Sequence, residues 1–498
     1  MSFLALANRL QLTQLAAAMR TNLLRTVRKP FALPPGIPPP HRLAGMRPNS
    51  GLTTHFPRPG VGAQSRSAPL HTRRIFVLCF DGTGDQFDAD NTNIVQFCSA
   101  LKKDDASQQM VYYQPGVGTY SVPQVVTRVR ARFQKYINMA IANHISAHVM
   151  SGYEFLMQNY RAMDKICIFG FSRGAYTARA LAGMIHKVYI CLLPPGNHQQ
   201  VPFAYEMYTR EDEFGWQQSR HFKKAFSVDV RVDFLGAWDT VCSVGVIPHT
   251  LPFTNSNSAI RHFRHAMALD ERRAAYQVNH WHPGNPHDPD AADNKKTDVR
   301  EVWFAGCHSD VGGGSVPNET KNSLARISLR WMIHECFRTQ TGIQFRRNAL
   351  ENLGIDVGTL RPAPVTPSVP TGHLNIHTAT QMTASTTEAS TLATNEEEER
   401  ADALSRMHDQ LKMVKAWWIL EWLPLRHRRQ YHGYLRPKHY WSINMGRPRE
   451  LLRPIREGEK ILVHRSVETR MKASESELEA GKYMPKAGLD LRDVEWID

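Results

Sequence analysis

The chain has 498 residues, of which 42% are hydrophobic, and this is enough for one large core or two smaller ones. Its net charge of +15 is uneven, because no Asp or Glu precedes Asp81 and nine of the positive charges lie in residues 1–70. The remaining charge is ordinary for an enzyme of this size and gives no basis for nucleic-acid binding.

Cysteine usage and hydropathy narrow the class of protein further. Seven scattered cysteines show no C-x-x-C spacing, and Cys79, Cys167 and Cys307 lie in apolar, strand-like runs. Such cysteines are typical of reduced core residues, so we expect an intracellular, reducing compartment. No apolar stretch is long enough to span a bilayer, so no transmembrane helix is expected.

The segment 1–70 differs in composition from the remainder of the chain. Residues 1–29 are Arg-rich and free of acidic residues, with apolar side chains at helical spacing. This pattern is typical of a mitochondrial transit peptide, and a disordered basic tail is the alternative. Residues 30–70 are rich in Pro and Gly and read as a linker. We expect one domain over residues 71–498.

The predicted domain begins with alternating strands and helices. Residues 74–80 form a buried strand that ends in a tight turn at 81–85. A helix over 91–101, capped by Asn91 or Thr92, follows. A short strand over 111–113 and a long helix over 134–160 come next.

A strand then turns sharply into a helix at Gly170-Phe171-Ser172-Arg173-Gly174. This is the G-x-S-x-G pattern of a nucleophile elbow, in which glycines permit the tight turn and the close packing of the helix. The alternative is a Gly-rich connection with a chance serine. The strand before and the helix after favour a nucleophilic Ser172.

Two further strands carry chemically competent residues at their ends. One covers 228–238 and leads to Asp239, and another covers 300–306 and leads to His308. A helix over 322–337 follows. This alternation predicts an α/β fold with a mostly parallel sheet and helices on both faces, and its sites lie at the carboxyl ends of strands.

The last third of the chain is less regular. Residues 357–400 are rich in Thr, Pro, Ser and Ala and read as a low-complexity insertion. Segments 120–133 and 191–226 interrupt the rhythm and are the expected lids. An aromatic run over 417–422 is interpreted as core, with lipid contact as the alternative, because Glu421 lies within it. A basic cluster is interpreted as a solvated face, with anionic lipid headgroups as the alternative: Arg426, Arg428, Arg429, Arg447 and Arg449.

A serine nucleophile needs a base, and the base needs a carboxylate that holds its tautomer. Ser172, Asp239 and His308 follow in the chain order that α/β-hydrolases use, each just past a predicted strand. Asp310 is the alternative carboxylate. We favour Asp239 because it ends its own strand.

An oxyanion needs two preorganised N–H donors. We expect one from the backbone of Arg173 and the second from the loop at Asp81 and Gly82. The Asp81 side chain itself either holds this loop against the elbow or caps the turn.

Six ordered motifs together resemble a known family: FDGTGD (80–85), YQPGVGT (113–119), GFSRGAYTAR (170–179), GAWDTV (236–241), WFAGCHSDVGGG (303–314) and VHRSVETRM (463–471). The chain resembles the α/β-hydrolase-like domain that is common in fungi and is shared with bacterial type VI secretion phospholipase effectors. The resemblance implies an α/β-hydrolase core, lipase-like ester hydrolysis, which in the bacterial members acts on glycerophospholipids, and a triad at Ser172, Asp239 and His308. Asp85 stands where the family commonly has Asn.

The leading hypothesis is therefore a serine ester hydrolase with no cofactor or metal, acting on a lipid or other ester, with peripheral membrane contact. One alternative is a phosphohydrolase that uses Asp81, Asp239, His308 and Asp310 around a metal ion. Cys79 stands where a D-x-D-G-T phosphatase would have its nucleophilic Asp, which argues against that type. The other alternative is a non-enzymatic interaction protein. The sequence does not predict the oligomeric state.

Overall fold

Eight parallel strands form the central sheet of the computed structural model. Their bounds are β1 Ile75–Phe80, β2 Gln109–Gln114, β3 Lys165–Phe171, β4 Val232–Trp238, β5 Ile260–Ala268, β6 Asp298–Phe304, β9 Ile461–His464 and β10 Val494–Ile497. They are arranged in the order β10-β9-β6-β5-β4-β3-β1-β2. A separate antiparallel hairpin pairs β7 (Pro424–Arg429) with β8 (Lys438–Ile443).

The structure describes part of the compact unit Leu70–Asp498. The described residues are 73–82, 87–116, 130–188, 196, 198–226, 230–241, 251–282, 297–358, 396–429, 438–451, 460–479 and 481–498. The predicted transit peptide, the linker, most of the low-complexity insertion and most of the predicted lid at 120–133 lie outside them. The predicted lid at 191–226 is described at residue 196 and from residue 198 onward, and this described part consists mainly of two helices.

Twelve α-helices accompany the strands in the described ranges. They are α1 Asn93–Ala100, α2 Arg130–Asn159, α3 Arg173–Lys187, α4 Val201–Thr209, α5 Glu213–Phe226, α6 His308–Gly312, α7 Leu324–Arg338, α8 Arg347–Asn352, α9 396–404, α10 Gln410–Met413, α11 Trp418–Glu421 and α12 Arg465–Lys472.

Helices cover both faces of the sheet, because alternate residues of β1 face two different core clusters that helices line. Phe76, Leu78 and Phe80 face a core cluster that includes residues of α2, α3 and α4. Val77 and Cys79 face a second cluster that includes residues of α1 and α7. A strand buried on both faces needs a continuous apolar run, and β1 has one. The predicted α/β class with a parallel sheet is confirmed.

Several element bounds differ from the prediction. The strand predicted from residue 228 begins at Val232, and the strand predicted at 300–306 is β6, which ends at Phe304, before His308. Strand β5 was not predicted, because its sequence IRHFRHAMA carries four basic or titratable side chains that obscure the apolar pattern. Thr92, one of the two expected caps, accepts a hydrogen bond from the Val95 N–H at the start of α1.

The expectation that the aromatic run is core is wrong for two of its members. The Trp422 side chain is 60% exposed and that of Ile419 is 58% exposed. Glu421, which argued against lipid contact, is the buried member of the run. Within the part of the chain that the structure describes, no helix combines the length and apolar character needed to cross a membrane.

Candidate active site

Ser172 lies at the junction of β3 and α3 in a conformation that L-residues rarely adopt. Its φ is 58° and its ψ is −122°. The Ser172 N–H donates to the Trp238 carbonyl oxygen at 2.9 Å, which ties the turn to β4. The serine precedes α3 without capping it, so its hydroxyl is left for another partner. A residue with a strained backbone between a strand and a helix is typical of a nucleophile elbow.

The elbow depends on glycine at two positions. A Cβ on Gly170 would lie 2.5 Å from the Gly174 carbonyl oxygen and 2.6 Å from the Ala175 Cα. A Cβ on Gly174 would overlap the carbonyl oxygens of Phe80 and Asp81 at the end of β1. Helix α3 therefore packs directly on the strand ends, which sets the direction of Ser172.

The side chains of Ser172, His308 and Asp239 form one hydrogen-bonded chain. The Ser172 Oγ lies 2.8 Å from the His308 Nε2, and the His308 Nδ1 lies 2.5 Å from the Asp239 Oδ2. All three side chains are buried. In the neutral imidazole, an Nδ1–H that donates to Asp239 leaves Nε2 as the acceptor for the serine hydroxyl. The structure thus brings together the three residues that the sequence placed at three strand ends.

Asp239 follows β4 with a φ of 40° and is fully buried. Its Oδ1 accepts from the Ala268 N–H at 2.9 Å and from the Arg449 Nη1 at 2.6 Å, and its Oδ2 accepts from the Arg449 Nη2 at 2.9 Å. Burial raises the pKa of the Asp239 carboxyl, but the charge of Arg449 and the hydrogen bonds from His308 and Arg449 outweigh burial and hold this pKa well below its usual range. The carboxylate is therefore ionised at neutral pH.

Arg449 is a site residue that the sequence did not reveal. The sequence places it in a basic cluster that is interpreted as a solvated face, yet it is only 3% exposed. Its guanidinium also donates to the carbonyl oxygens of Ala268 and Tyr276. In the sequence it resembles its exposed neighbour Arg447, and it lies far along the chain from Asp239, so no local signal marked it.

His308 begins the short helix α6 and is held on several sides. Its ring lies 4.7 Å from the Phe171 ring and 4.8 Å from the Tyr276 ring, between centroids. Its backbone N–H donates to the Glu271 Oε2 at 3.3 Å. Burial lowers the pKa of His308, and the hydrogen bond and negative charge of Asp239 oppose this effect only in part. The imidazole is therefore neutral at neutral pH and able to accept a proton.

Glu271, which accepts the hydrogen bond from the His308 backbone, belongs to a buried ion pair. Glu271 pairs with Arg273 at 2.8 Å, and the Arg273 guanidinium lies 3.6 Å from the centroid of the Tyr276 ring. Burial raises the pKa of Glu271, but Arg273 outweighs burial and lowers it to about 2. These residues follow β5, a strand that the sequence pattern does not indicate, so no sequence signal pointed to them.

Asp310, the alternative carboxylate, does not contact His308 through any hydrogen bond in the described residues. Its Oδ1 lies 2.8 Å from the His408 Nδ1, and its Oδ2 accepts from the N–H groups of Cys307 and His408 at 2.9 Å each. It closes a capping box at the start of α6. The structure therefore places Asp239, and not Asp310, on the histidine.

Asp81 follows β1 directly and is tied to neighbouring elements. Its Oδ1 accepts from the N–H of its neighbour Gly82 at 2.8 Å and from the Thr92 hydroxyl at 2.7 Å, and its Oδ2 accepts from the Tyr113 hydroxyl at 2.8 Å. Burial raises the pKa of Asp81. The Gly82 N–H, an expected oxyanion donor, is donated to Asp81 in the structure, and its role in an oxyanion hole stays a prediction. Arg173 is the first residue of α3.

The residues of the phosphohydrolase alternative are not gathered into a metal site. Asp239 and His308 bind each other, Asp310 binds His408, and Asp81 binds Thr92 and Tyr113. Across the described ranges, no three His, Cys, Asp or Glu side chains are arranged to hold a metal ion.

A parallel α/β sheet with a serine elbow at a strand end and a histidine and a carboxylate at neighbouring strand ends defines an α/β-hydrolase-like protein. Residues 74–335 match the family described as T6SS, Phospholipase effector Tle1-like, catalytic domain. The chain belongs to this family, and the predicted resemblance is confirmed.

Three individual proteins are similar to this chain at low sequence identity. An uncharacterized protein of Saccharomyces cerevisiae, YEL023C, is 27% identical over 55% of this chain, and the match spans 58% of that relative. A crystal structure of an uncharacterized protein from Pseudomonas aeruginosa is 17% identical, with a TM-score of 0.30, and the match covers 58% of this chain and 48% of that one. The Tle1 effector bound to the VgrG spike from the type VI secretion system is 19% identical, with a TM-score of 0.29, over 50% and 52% of the two chains. The fold assignment rests on the strand order of this chain.

Proposed function

We propose that this protein is a serine hydrolase that cleaves carboxyl esters of lipids, with glycerophospholipids as the substrate class, through an acyl-enzyme. The hydrogen-bonded chain from Ser172 through His308 to Asp239 is the observation that carries the proposal. The family description, which names phospholipase effectors, supports the substrate class.

In the first half of the reaction, the Ser172 Oγ attacks the ester carbonyl carbon and its proton passes to the His308 Nε2. The ionised Asp239 stabilises the imidazolium that forms. When the tetrahedral intermediate collapses, the bond to the leaving alcohol breaks, and His308 returns the proton to that oxygen. The fatty acyl group remains on Ser172, and a lyso-lipid leaves.

In the second half, His308 takes a proton from water, and the hydroxide oxygen bonds to the acyl carbon. Collapse then releases the fatty acid, and the proton returns to the Ser172 Oγ. The backbone N–H of Arg173 is the proposed oxyanion donor, since it lies in the first turn of α3, at the positive end of the helix dipole.

The proposal predicts that Ser172→Ala abolishes ester cleavage without unfolding the protein. Fatty acid release from phospholipid in mixed detergent micelles is expected to fall by about 10⁴-fold or more, because the nucleophile is removed. The far-UV circular dichroism spectrum should stay unchanged. Ser99→Ala, a matched change on the exposed surface of α1, should keep wild-type turnover. Turnover by Ser172→Ala at the wild-type rate would contradict the proposal.

A further inference from the structure

We propose that residues 410–429 and 438–445 form a docking surface for a lipid bilayer that carries anionic headgroups. This docking surface comprises α10, α11, the β7–β8 hairpin and Met445. The inference rests on the proposed function, since it concerns how a lipid hydrolase reaches its substrate.

Exposed apolar side chains concentrate in the docking surface. It contains nine of the fifteen exposed large hydrophobic side chains in the described part of the chain. The nine are Met413, Val414, Ile419, Trp422, Leu423, Tyr440, Trp441, Ile443 and Met445. Single exposed apolar residues are ordinary, but a concentration of this kind marks an interaction site.

Backbone and side-chain hydrogen bonds bring the parts of the docking surface together. The buried Glu421 carboxylate accepts from the Ala274 N–H at 2.7 Å, from the Asn444 Nδ2 at 2.6 Å and from the Gly446 N–H at 3.0 Å. The Met445 N–H donates to the Glu421 carbonyl oxygen at 3.1 Å. The acidic side chain is thus turned inward, where it anchors the surface and leaves the apolar residues outside.

The register of the hairpin sets one basic position opposite a tryptophan position. Arg426 pairs with Trp441, and Pro424 pairs with Ile443. Exposed tryptophan in a segment rich in basic residues is the composition of proteins that lie in the headgroup region of a bilayer.

Charge identifies the partner more closely. In sequence, residues 410–429 and 438–445 include six Lys and Arg residues and a single acidic residue, the inward-facing Glu421. Segments with this excess of positive charge are attracted to anionic lipid. Self-association of two such surfaces would bring like charges together, so a second copy of this chain fits the surface less well.

The docking surface is continuous with the candidate active site. The Trp417 ring, between α10 and α11, lies 5.7 Å from the Tyr276 ring, and the Tyr276 ring lies 4.8 Å from that of His308. A bilayer bound here would therefore lie beside the serine, which is where a lipid ester must enter.

The test is co-sedimentation of the full chain with two kinds of vesicle, one of phosphatidylcholine alone and one of phosphatidylcholine mixed with the anionic lipid phosphatidylglycerol. The test variant is Ile419→Gln/Trp422→Gln. The control is Met163→Gln/Leu491→Gln, because these residues are also exposed, at 67% and 53%. They precede the amino ends of β3 and β10, whereas the candidate active site lies at the carboxyl ends of the strands. We expect the wild type and the control to bind the anionic vesicles, and the test variant to bind about tenfold more weakly. Binding should weaken as the salt concentration rises, because salt screens exposed charges.

Wild-type protein that stays in the supernatant, or a test variant that binds as the wild type does, would overturn the docking surface. So would a wild-type dimer in sedimentation velocity that the test variant abolishes. Cleavage of a water-soluble short-chain ester separates the two proposals. The test variant should keep this cleavage, so binding without cleavage refutes the proposed function alone, and cleavage without binding refutes the docking surface alone.

Discussion

At the scale of single residues, the bidentate contact of Arg449 with Asp239 affects the chemistry of the triad. A serine triad needs a carboxylate that stabilises a histidine cation, yet here two guanidinium N–H groups already neutralise that carboxylate. The arrangement keeps Asp239 ionised and orients it, and it also moderates how strongly Asp239 can raise the basicity of His308. Arg449 is therefore a positioning residue.

Replacing Arg449 tests this role through the pH profile. In Arg449→Met, the uncompensated Asp239 charge should raise the pKa of His308. Because His308 must be neutral to take the serine proton, the acidic limb of kcat/KM should move to higher pH, and activity near pH 6 should fall more than activity near pH 8.

Arg449→Lys is the matched variant, since it keeps the charge but loses the bidentate geometry. It should leave the acidic limb closer to that of the wild type. An unshifted profile in Arg449→Met, with folding intact, would contradict the positioning role.

At the scale of elements, the elbow between β3 and α3 depends on close backbone packing. Gly174→Ala would push a methyl group into the end of β1, so we expect a loss of about 1–3 kcal/mol in the free energy of unfolding, together with reduced turnover. Denaturant unfolding measures the first effect and ester hydrolysis the second.

Gly358→Ala is the control, because its added Cβ would meet only the flexible Asp356 side chain, at 3.2 Å. Equal stability of Gly174→Ala and the wild type would show that the elbow tolerates a side chain.

The elbow also shows why part of the site was predictable from the sequence. The local sequence predicts the positions of Ser172, Asp239 and His308, because each of them follows an apolar run that is typical of a buried strand. Arg449 and Glu271 carry no such signal. The role of Arg449 arises from a contact with a residue distant along the chain, and the Glu271 region follows β5, whose titratable side chains hid the strand.

The sequence predicts the fold class but not every strand of the sheet. The class follows from alternating strands and helices, but β9 and β10 are only four residues each, too short for their pattern to indicate a strand. The position of Trp422 and Ile419 was missed because apolar residues are usually buried, and their exposure depends on the inward turn of Glu421.

At the scale of the whole molecule, buried histidines couple stability to pH. The His265 Nε2 accepts from the Thr240 N–H at 3.0 Å, which requires a neutral ring, and its Nδ1 lies 2.9 Å from the Glu301 Oε1. Burial lowers the pKa of His265 and that of His308. Between the folded pKa and the unfolded value of about 6.5, the unfolded chain binds more protons. These histidines therefore make the folded state less stable as pH falls below about 6.5.

His265→Gln removes one of these titrations while keeping a hydrogen-bond acceptor. We expect the free energy of unfolding to depend less steeply on pH between about 5 and 6.5, by up to about 1.4 kcal/mol per pH unit for one proton. Burial raises the pKa of Asp81 and of Asp270, which act in the opposite sense, so the comparison between variant and wild type is the informative quantity. Identical slopes in denaturant unfolding across this range would contradict the prediction.

Covalent labelling tests most directly whether Ser172 is an activated nucleophile. Purified wild-type protein should react with a fluorophosphonate probe, and mass spectrometry of the peptides should place the adduct on Ser172. Ser172→Ala should remain unlabelled under the same conditions. A folded wild-type protein that stays unlabelled, even with detergent or vesicles present to expose the site, would contradict the role of Ser172 as an activated nucleophile.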